Sequence, residues 1–210
     1  MAPKVTLHYF NLRARGELIR WILSYSGQEW VDHRIEFAEW PAIKATTPFG
    51  QLPYIEIEGK EPLAQTYAIA RYLSRQHGLA GTNAWEEGQV DALADYAADA
   101  AKGFSTYVQA FMAKDEKKAQ AAREEYTGTT VKPFLSTFEK TLQHNKSGSD
   151  YLVGTKPSWA DFVVVQLLDE AQRLKSDLLD PFPLLKAHQD RVHNLKGIKE
   201  FLAKRPETPL

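Results

Sequence analysis

The amino-acid sequence predicts an α/β domain over residues 1–79 followed by an all-α domain over residues 80–210. In the first domain, short segments with the two-residue alternation of strands are interleaved with segments of helical periodicity. Beyond residue 84, nearly every segment has helical periodicity. A chain of 210 residues is long enough for two small domains that share an interface.

The first domain begins with a predicted strand and a predicted helix. Apolar and polar residues alternate over residues 4–9, which predicts a half-buried strand that ends at Tyr9. Apolar residues then recur at helical spacing over residues 17–26. Gly27 follows at the position where a helix C-terminus favours left-handed backbone, so the helix is expected to stop there.

The rest of the first domain completes the order strand, helix, strand, helix, strand, strand, helix. The alternation and turn signals predict strands over residues 30–35, 54–57 and 62–64 and helices over residues 41–46 and 67–77. Thr66 is the predicted N-cap of the last helix, and Gly78 is expected to end it. Such an order in fewer than 80 residues is typical of a thioredoxin-like fold, a small mixed sheet with helices packed on it.

Long helices are predicted to build the second domain. An Ala-rich helix covers residues 85–114, and a second helix covers residues 120–145, with Pro133 as a kink. Further on, Ser158 precedes an apolar helical run, and Asp161 stands three residues later. This spacing predicts a capping box at the start of another helix, with aspartate in place of the usual glutamate or glutamine.

Composition excludes several classes of function. The 26 lysines and arginines nearly balance the 27 acids, so a general affinity for nucleic acid or a charged membrane is not expected. With no long apolar stretch and no signal-peptide pattern, we expect a cytoplasmic protein that does not bind membranes. The absence of cysteine means that any thiol chemistry needs a thiol from a ligand. The six histidines lack metal-ligand spacing, so no metal is expected to be required.

Six segments, taken in order, resemble Sigma-class cytosolic glutathione transferases over essentially the whole chain. Those of the first domain are LHYFNLRARGELIRWIL, EWPAIKATTPFGQLPYIEI and PLAQTYAIARYLSRQHGLAG. Those of the second are WEEGQVDALADYAADAAKGF, LVGTKPSWADF and FLAKRPETPL. This class includes haematopoietic-type prostaglandin D synthase and the cephalopod S-crystallins. The resemblance implies the glutathione transferase fold, with glutathione as co-substrate.

The resemblance also implies roles for individual residues. The Tyr9 hydroxyl would face the sulfur of glutathione, with Arg15 near the same sulfur. The further glutathione contacts implied are Phe10 beside Tyr9, Trp40 and Lys44 at the glycine end, Gly50, Gln51 and Leu52 at the centre, and Gln65 and Thr66 at the γ-glutamyl end. A free thiol is only a few per cent ionised at neutral pH, and a hydrogen bond or a positive charge at sulfur favours the reactive thiolate.

Two of these implied contacts have alternative interpretations. If the Leu52–Pro53 bond is cis, as we predict, the main chain before Pro53 is turned outward and can pair with a peptide-like ligand; an ordinary trans proline at a strand start is the alternative. Thr66 can receive the γ-glutamyl carboxylate at a helix N-terminus or can act as a plain N-cap. Both roles can coexist in one turn.

The resemblance also implies a partner, and the chain differs from the usual pattern of the class at three positions. It implies a homodimer in which Asp99 reaches the glutathione of the neighbouring subunit, although a merely solvated carboxylate is the alternative for Asp99. The chain has Thr66 where the class usually has serine, and Ala14 and Gly16 stand in a run that is more often RGRAE. Threonine keeps the hydroxyl, whereas the other two change the backbone freedom of a loop near the sulfur.

The predicted activity is conjugation of the glutathione thiolate to small hydrophobic electrophiles. These are expected to bind in an apolar pocket lined by Phe10, Leu12, Phe104, Val163 and Leu167. Prostaglandin D isomerisation or peroxide reduction is a side activity compatible with the same thiolate. The alternatives are a non-catalytic ligand carrier and a crystallin-like structural protein, although the chain lacks the insertion usual in those crystallins.

Overall fold

The computed structural model describes residues 4–208, except the side chain of Ser147, and it divides into two compact units. The first unit contains the residues up to His77 and those from Asn194 onward, and the second contains Gly78–His193. A small mixed sheet with helices forms the first unit, and the second is helical. The predicted fold class is thereby confirmed.

The sheet of the first unit has four strands in the order β2-β1-β3-β4. Its strands are β1 (Val5–Phe10), β2 (Trp30–Ile35), β3 (Tyr54–Ile57) and β4 (Leu63–Ala64). Strand β1 runs parallel to β2 and antiparallel to β3, and β3 runs antiparallel to β4. The predicted strands are confirmed to within one residue at each end, because the alternation of apolar residues marks the buried face directly.

The helices follow the predicted order. They are α1 (Ala14–Ser26), α2 (Trp40–Ile43), α3 (Thr66–Gln76), α4 (Ala84–Met112), α5 (Glu116–Glu125), α6 (Lys132–His144), α7 (Trp159–Leu174), α8 (Pro183–His193) and α9 (Ile198–Lys204). Short 3-10 turns cover Lys44–Thr46, Pro48–Gly50 and Lys146–Gly148. Gly27 ends α1 with a left-handed φ of 68°, as predicted. Within residues 4–208, no helix combines the length and apolarity needed to cross a membrane.

The prediction that Thr66 caps α3 was wrong. Thr66 is the first residue of the helix, and Gln65 occupies the N-cap position without a side-chain capping hydrogen bond. Gln65 has a left-handed φ of 75°, so the chain enters the helix one residue earlier than a threonine cap would allow. The positive φ of a glutamine is uncommon, and such residues cluster at functional sites.

The last part of the chain belongs to the first unit, whereas the sequence predicted a second domain that extends to residue 210. Helix α9 packs on α1. Arg205 Nη1 donates a hydrogen bond of 2.5 Å to Oε1 of the buried Glu17. Gly197 approaches the end of α1 so closely that a Cβ there would lie 2.2 Å from a main-chain oxygen. Burial of the Glu17 carboxylate requires such a cationic partner.

In the second unit, a break replaces the predicted kinked helix over residues 120–145. Helix α5 ends at Glu125, a π-helical turn covers Tyr126–Thr130, and α6 starts at Lys132. Pro133 therefore lies in the first turn of α6, where its missing N–H removes no helical hydrogen bond. The position of a proline in a helical stretch of sequence does not by itself show whether the proline kinks one helix or begins another.

The predicted capping box at α7 is confirmed. The main-chain N–H of Ser158 donates to Asp161 Oδ2 at 2.7 Å, and Asp161 Oδ1 accepts from the N–H of Leu152 at 2.8 Å. Asp161 is fully buried, and His188 Nε2 lies 3.2 Å from its Oδ1. The carboxylate thus fixes the loop before α7 to the helical core.

Candidate active site

Strands β1 and β4 end, and β3 begins, at the same end of the sheet. Several of the predicted site residues lie along this edge. Tyr54 of β3 lies opposite His8 of β1 and opposite Ala64 of β4. The next residues at this edge are Tyr9, Pro53 and Gln65. The register therefore gathers the predicted sulfur contact, the proline turn and the start of α3 along one end of the sheet.

Tyr9 is held in a well-packed position. Its side chain is only 5% exposed, and its ring meets the Phe10 ring edge-on at 5.7 Å between centroids. The Cζ atom of Arg20 lies 5.8 Å from the centroid of the Tyr9 ring. Burial and packing on these sides limit the movement of the ring.

An aromatic cluster of Phe10, Phe37 and Trp40 lies beside Tyr9. The Phe10 ring stacks on Phe37 at 4.7 Å and meets Trp40 edge-on at 5.5 Å. The cluster links the end of β1 to α2 and so brings together Phe10 and Trp40, which were both predicted. Phe37 was not predicted. It is 48% exposed, and the sequence signal for it is only its position three residues before Trp40.

Lys44 and Gly50 lie close together in the turns after α2. An added Cβ on Gly50 would lie 3.8 Å from Cε of Lys44. Gly50 has φ 61° and Phe49 has φ 56°, and this left-handed pair reverses the chain toward β3. The Thr47 hydroxyl donates a hydrogen bond of 2.9 Å to the Lys44 carbonyl, so the turn is fixed at the lysine.

The Leu52–Pro53 peptide bond is cis, as predicted. Pro53 is buried, whereas Leu52 is half-buried. Within residues 4–208, the main-chain N–H and carbonyl of Leu52 make no hydrogen bond to the protein. These two groups can therefore pair with an extended peptide-like ligand in the manner of an added strand.

Gln51, Gln65 and Thr66 meet at the N-terminus of α3. Gln65 Nε2 donates a hydrogen bond of 3.2 Å to Gln51 Oε1. Thr66 begins a helix of 11 residues, whose first main-chain N–H groups have no partner inside the helix. These N–H groups and the helix dipole favour a carboxylate, which is the group at the γ-glutamyl end of glutathione.

Arg15 lies in the first turn of α1 and is exposed. In the described part of the chain, its guanidinium makes no hydrogen bond or ion pair. Asp99 lies in α4 of the second unit, where it pairs with Lys102 at 2.7 Å on an exposed helix face. Its predicted contact with a neighbouring subunit stays a prediction.

The predicted electrophile pocket also stays a prediction. Phe10 and Leu12 lie in the first unit, and Leu12 is buried there. Phe104, Val163 and Leu167 lie in the second unit. Val163 and Leu167 are buried within α7, and Phe104 is partly exposed on α4, with its ring 5.9 Å from those of Tyr107 and Tyr126.

A histidine pair lies on the sheet next to Tyr9. Nδ1 of His33 and Nδ1 of His8 are 2.7 Å apart, and Nε2 of His8 lies 3.2 Å from Glu56. Burial lowers the pKa of His8 below its ordinary value of 6.5, although Glu56 opposes this. Burial and Glu56 together raise the pKa of Tyr54, which stacks on His8. Among residues 4–208, no group of three or more histidines or carboxylates is arranged to hold a metal ion.

Comparison with known families matches both units. Residues 5–75 match the glutathione S-transferase N-terminal domain, and residues 103–205 match the glutathione S-transferase C-terminal domain. The chain is 42% identical over 201 residues to the probable glutathione S-transferase 7 of Caenorhabditis elegans, with 96% of each chain covered. The chain belongs to the glutathione S-transferase family. The predicted activity is thereby confirmed: the protein is a transferase that uses glutathione as co-substrate.

Two further relatives of the transferase are named for a different activity. The chain is 35% identical over 208 residues to the hematopoietic prostaglandin D synthase of Gallus gallus, with 99% of this chain and 100% of the relative covered. It is 38% identical to the prostaglandin synthase D of Nilaparvata lugens, whose structure superposes with a TM-score of 0.86 and covers 98% of this chain and 100% of the other. Members of the family generally act as dimers and bind glutathione and electrophiles.

Proposed function

We propose that the transferase activates glutathione through a hydrogen bond from the Tyr9 hydroxyl to the sulfur, and adds the resulting thiolate to small hydrophobic electrophiles. The observation that carries the proposal is the convergence of Tyr9, Pro53 and Gln65 at one edge of the sheet. A tripeptide bound along this edge would extend from the start of α3, past the free main chain of Leu52, to the end of β1.

Formation of the thiolate is favoured by a hydrogen-bond donor at the sulfur. A thiol with a pKa of about 8.5 is mostly protonated at neutral pH, and each unit by which its pKa falls corresponds to about 1.4 kcal/mol. A phenol with an ordinary pKa of about 10 stays protonated and can donate to the thiolate. Tyr9 is almost fully buried, and a hydrogen bond is electrostatically stronger in a low-dielectric site than in water.

In this proposal, the other predicted residues bind the remaining groups of glutathione. The N-terminus of α3 with Gln65 and Thr66 would receive the γ-glutamyl carboxylate, and Leu52 would pair with the central main chain. Lys44 and Trp40 would hold the glycine carboxylate. The exposed Arg15 guanidinium, which has no partner among the described residues, would add positive charge near the sulfur.

We also propose that the transferase belongs to the Sigma class and isomerises prostaglandin H as a side activity. The support is its identity of 35% and 38% to proteins named as prostaglandin D synthases. We propose that the isomerisation uses the same thiolate. The proposed assembly is a cytoplasmic homodimer in which Asp99 reaches the glutathione of the other subunit.

A panel of electrophiles tests the proposed activity. We expect glutathione-dependent turnover of an aryl halide, reactive aldehydes and a lipid peroxide, and formation of prostaglandin D from prostaglandin H. Matched reactions without glutathione provide the control. Turnover of the aryl halide without prostaglandin D formation would contradict the isomerase proposal alone. Binding of glutathione without turnover of any compound would contradict the catalytic proposal and favour a carrier.

A further inference from the structure

Three side chains form a row across the sheet, on the face opposite to the side chain of Tyr9. Glu56 of β3, His8 of β1 and His33 of β2 stand on adjacent strands, and we call them the sheet triad. His8 and His33 are paired in register, and Glu56 is paired with the residue two before His8. Since side chains alternate between the two faces of a strand, His8 faces away from the side chain of Tyr9. The sheet triad is thus separate from the predicted sulfur contact.

His8 is the middle member of the sheet triad and contacts both of the others. Its Nε2 lies 3.2 Å from Oε2 of Glu56, and its Nδ1 lies 2.7 Å from Nδ1 of His33. The His8 ring is buried and stacks on Tyr54, with 4.3 Å between the ring centroids and 3° between the ring planes. His33, in contrast, is exposed. The middle imidazole is therefore held in place, whereas the outer one can meet small molecules from solvent.

These contacts assign the protons of the two neutral imidazoles. A carboxylate only accepts hydrogen bonds, so His8 carries its proton on Nε2, facing Glu56, and has a lone pair on Nδ1. The contact of 2.7 Å between the two Nδ1 atoms needs one proton, which His33 then supplies. The neutral His33 ring consequently has its lone pair on Nε2. No residue within the described range 4–208 makes a hydrogen bond to that nitrogen.

This order of groups is that of an activated nucleophile. Such sites combine a nucleophile, a base within about 2.6–3.2 Å of it and a third group that orients the base. In the sheet triad these parts belong to His33, His8 and Glu56. Burial lowers the pKa of His8, and Glu56 opposes this by favouring the imidazolium. The carboxylate thus helps His8 to accept a proton from His33.

The composition favours an imidazole as the side chain that reacts with electrophiles. The chain has no cysteine, which is ordinarily the most nucleophilic side chain. A lysine amine with an ordinary pKa of about 10.4 is mostly protonated at neutral pH and then has no lone pair, whereas a histidine with an ordinary pKa of about 6.5 is mostly neutral. Histidine with a free Nε2 is therefore the available nucleophile.

We propose that Nε2 of His33 is a site of covalent addition of small α,β-unsaturated aldehydes, with His8 as the base. The lone pair on Nε2 forms a bond to the β-carbon of the aldehyde, and the electrons of the carbon–carbon double bond move into an enolate. The enolate takes a proton from water at its α-carbon. The alkylated ring passes its Nδ1 proton to His8, which gives it to the hydroxide so formed. The product contains every atom of both reactants.

The addition goes beyond the proposed function, because it uses neither glutathione nor the Tyr9 hydroxyl. The aldehydes are of the class of small electrophiles proposed as substrates of the transferase, so the same compound can react at either place. Measurement without glutathione separates the two reactions.

His144 offers a matched comparison within the chain. It is exposed, and its Nδ1 lies 2.6 Å from the carbonyl oxygen of Lys140. A carbonyl only accepts hydrogen bonds, so neutral His144 also has its proton on Nδ1 and its lone pair on Nε2. The carbonyl, however, is not a base that takes up the proton. His33 and His144 thus differ in the group that stands behind the reacting ring.

The test treats the folded protein with but-2-enal at neutral pH without glutathione, reduces the products with borohydride and maps them by mass spectrometry of peptides. We expect the adduct to form at least about tenfold faster at His33 than at His144, since general base catalysis ordinarily contributes about a hundredfold or more. In His8→Gln, which keeps a polar group but accepts no proton, the rate at His33 is expected to fall to that at His144. In Glu56→Gln it is expected to fall by about twofold to fivefold, because this carboxylate is exposed.

Equal rates at His33 and His144 in wild type would overturn the proposal, as would an unchanged rate at His33 in folded His8→Gln. If His8→Gln does not fold, Glu56→Gln decides, and an unchanged rate there contradicts the proposal. His33→Gln is expected to lose this adduct and to keep the glutathione-dependent turnover of an aryl halide. A fall of that turnover would place His33 in the transferase site and contradict a separate site.

Discussion

The guanidinium of Arg20 donates a hydrogen bond of 2.7 Å to the main-chain carbonyl of Leu12. It also donates to the carbonyl of Phe10 at 3.3 Å and to Asp32 at 3.0 Å, and it lies 3.4 Å from Glu17. Arg20 is fully buried on α1. The main-chain oxygens on either side of the turn after Tyr9 are therefore fixed by one cation from the helix.

We expect Arg20→Met to destabilise the protein by about 3 kcal/mol or more, because removing one partner leaves the Glu17 carboxylate buried with fewer donors. The midpoint of urea unfolding measures the change. Lys118→Met is the control, since its ion pair with Asp115 is exposed and such pairs contribute little. Equal midpoints for the two variants would contradict the structural importance of Arg20.

The sequence predicted what depends on local pattern. The strand that ends at Tyr9 is visible as alternation, and the capping box of Ser158 and Asp161 is visible as spacing. Of the two cations that compensate the buried Glu17, Arg205 was not predictable, because it stands 188 residues away in the chain. No local rule links two residues at that separation.

The candidate site was predicted largely through the resemblance. Residue types alone did not distinguish Tyr9 from any aromatic residue at a strand end. The close approach of Gly16 to the Tyr9 ring could not be inferred from sequence either, since only the coordinates give that distance. Thr66 was misassigned as a cap because the positive φ of Gln65 has no sequence signature.

His8 is expected to make stability depend on pH. Its pKa in the folded state is lowered by burial, so the unfolded state binds more protons as the pH falls through 6.5. The stability associated with uncharged His8 is therefore fully present above about pH 6.5, and it is lost as the pH falls further. We expect the free energy of unfolding to decrease less from pH 7.5 to 5.5 in His8→Gln than in wild type.

Urea unfolding at the two pH values measures this difference. His144→Gln, the same change at an exposed histidine, is the control. The same loss of stability in His8→Gln and wild type would show that the proton uptake occurs elsewhere.

Asp99→Ala is expected to weaken glutathione binding roughly tenfold, the effect of losing a hydrogen bond between charged groups. Calorimetry measures the affinity, and sedimentation at micromolar concentration is expected to show a dimer. Asp177→Ala, another exposed acid of the second unit, is the control. Unaltered affinity in Asp99→Ala, or a fully active monomer, would contradict a site shared between subunits.

The most direct measurement is the spectroscopic titration of the glutathione thiol bound to wild type, to Tyr9→Phe and to Tyr72→Phe, a control in the second half of α3. We expect a thiol pKa at least about one unit below the free value of about 8.5 in wild type and Tyr72→Phe, and a value close to the free one in Tyr9→Phe. A bound thiol that ionises at the same pH with and without the Tyr9 hydroxyl would contradict the mechanism.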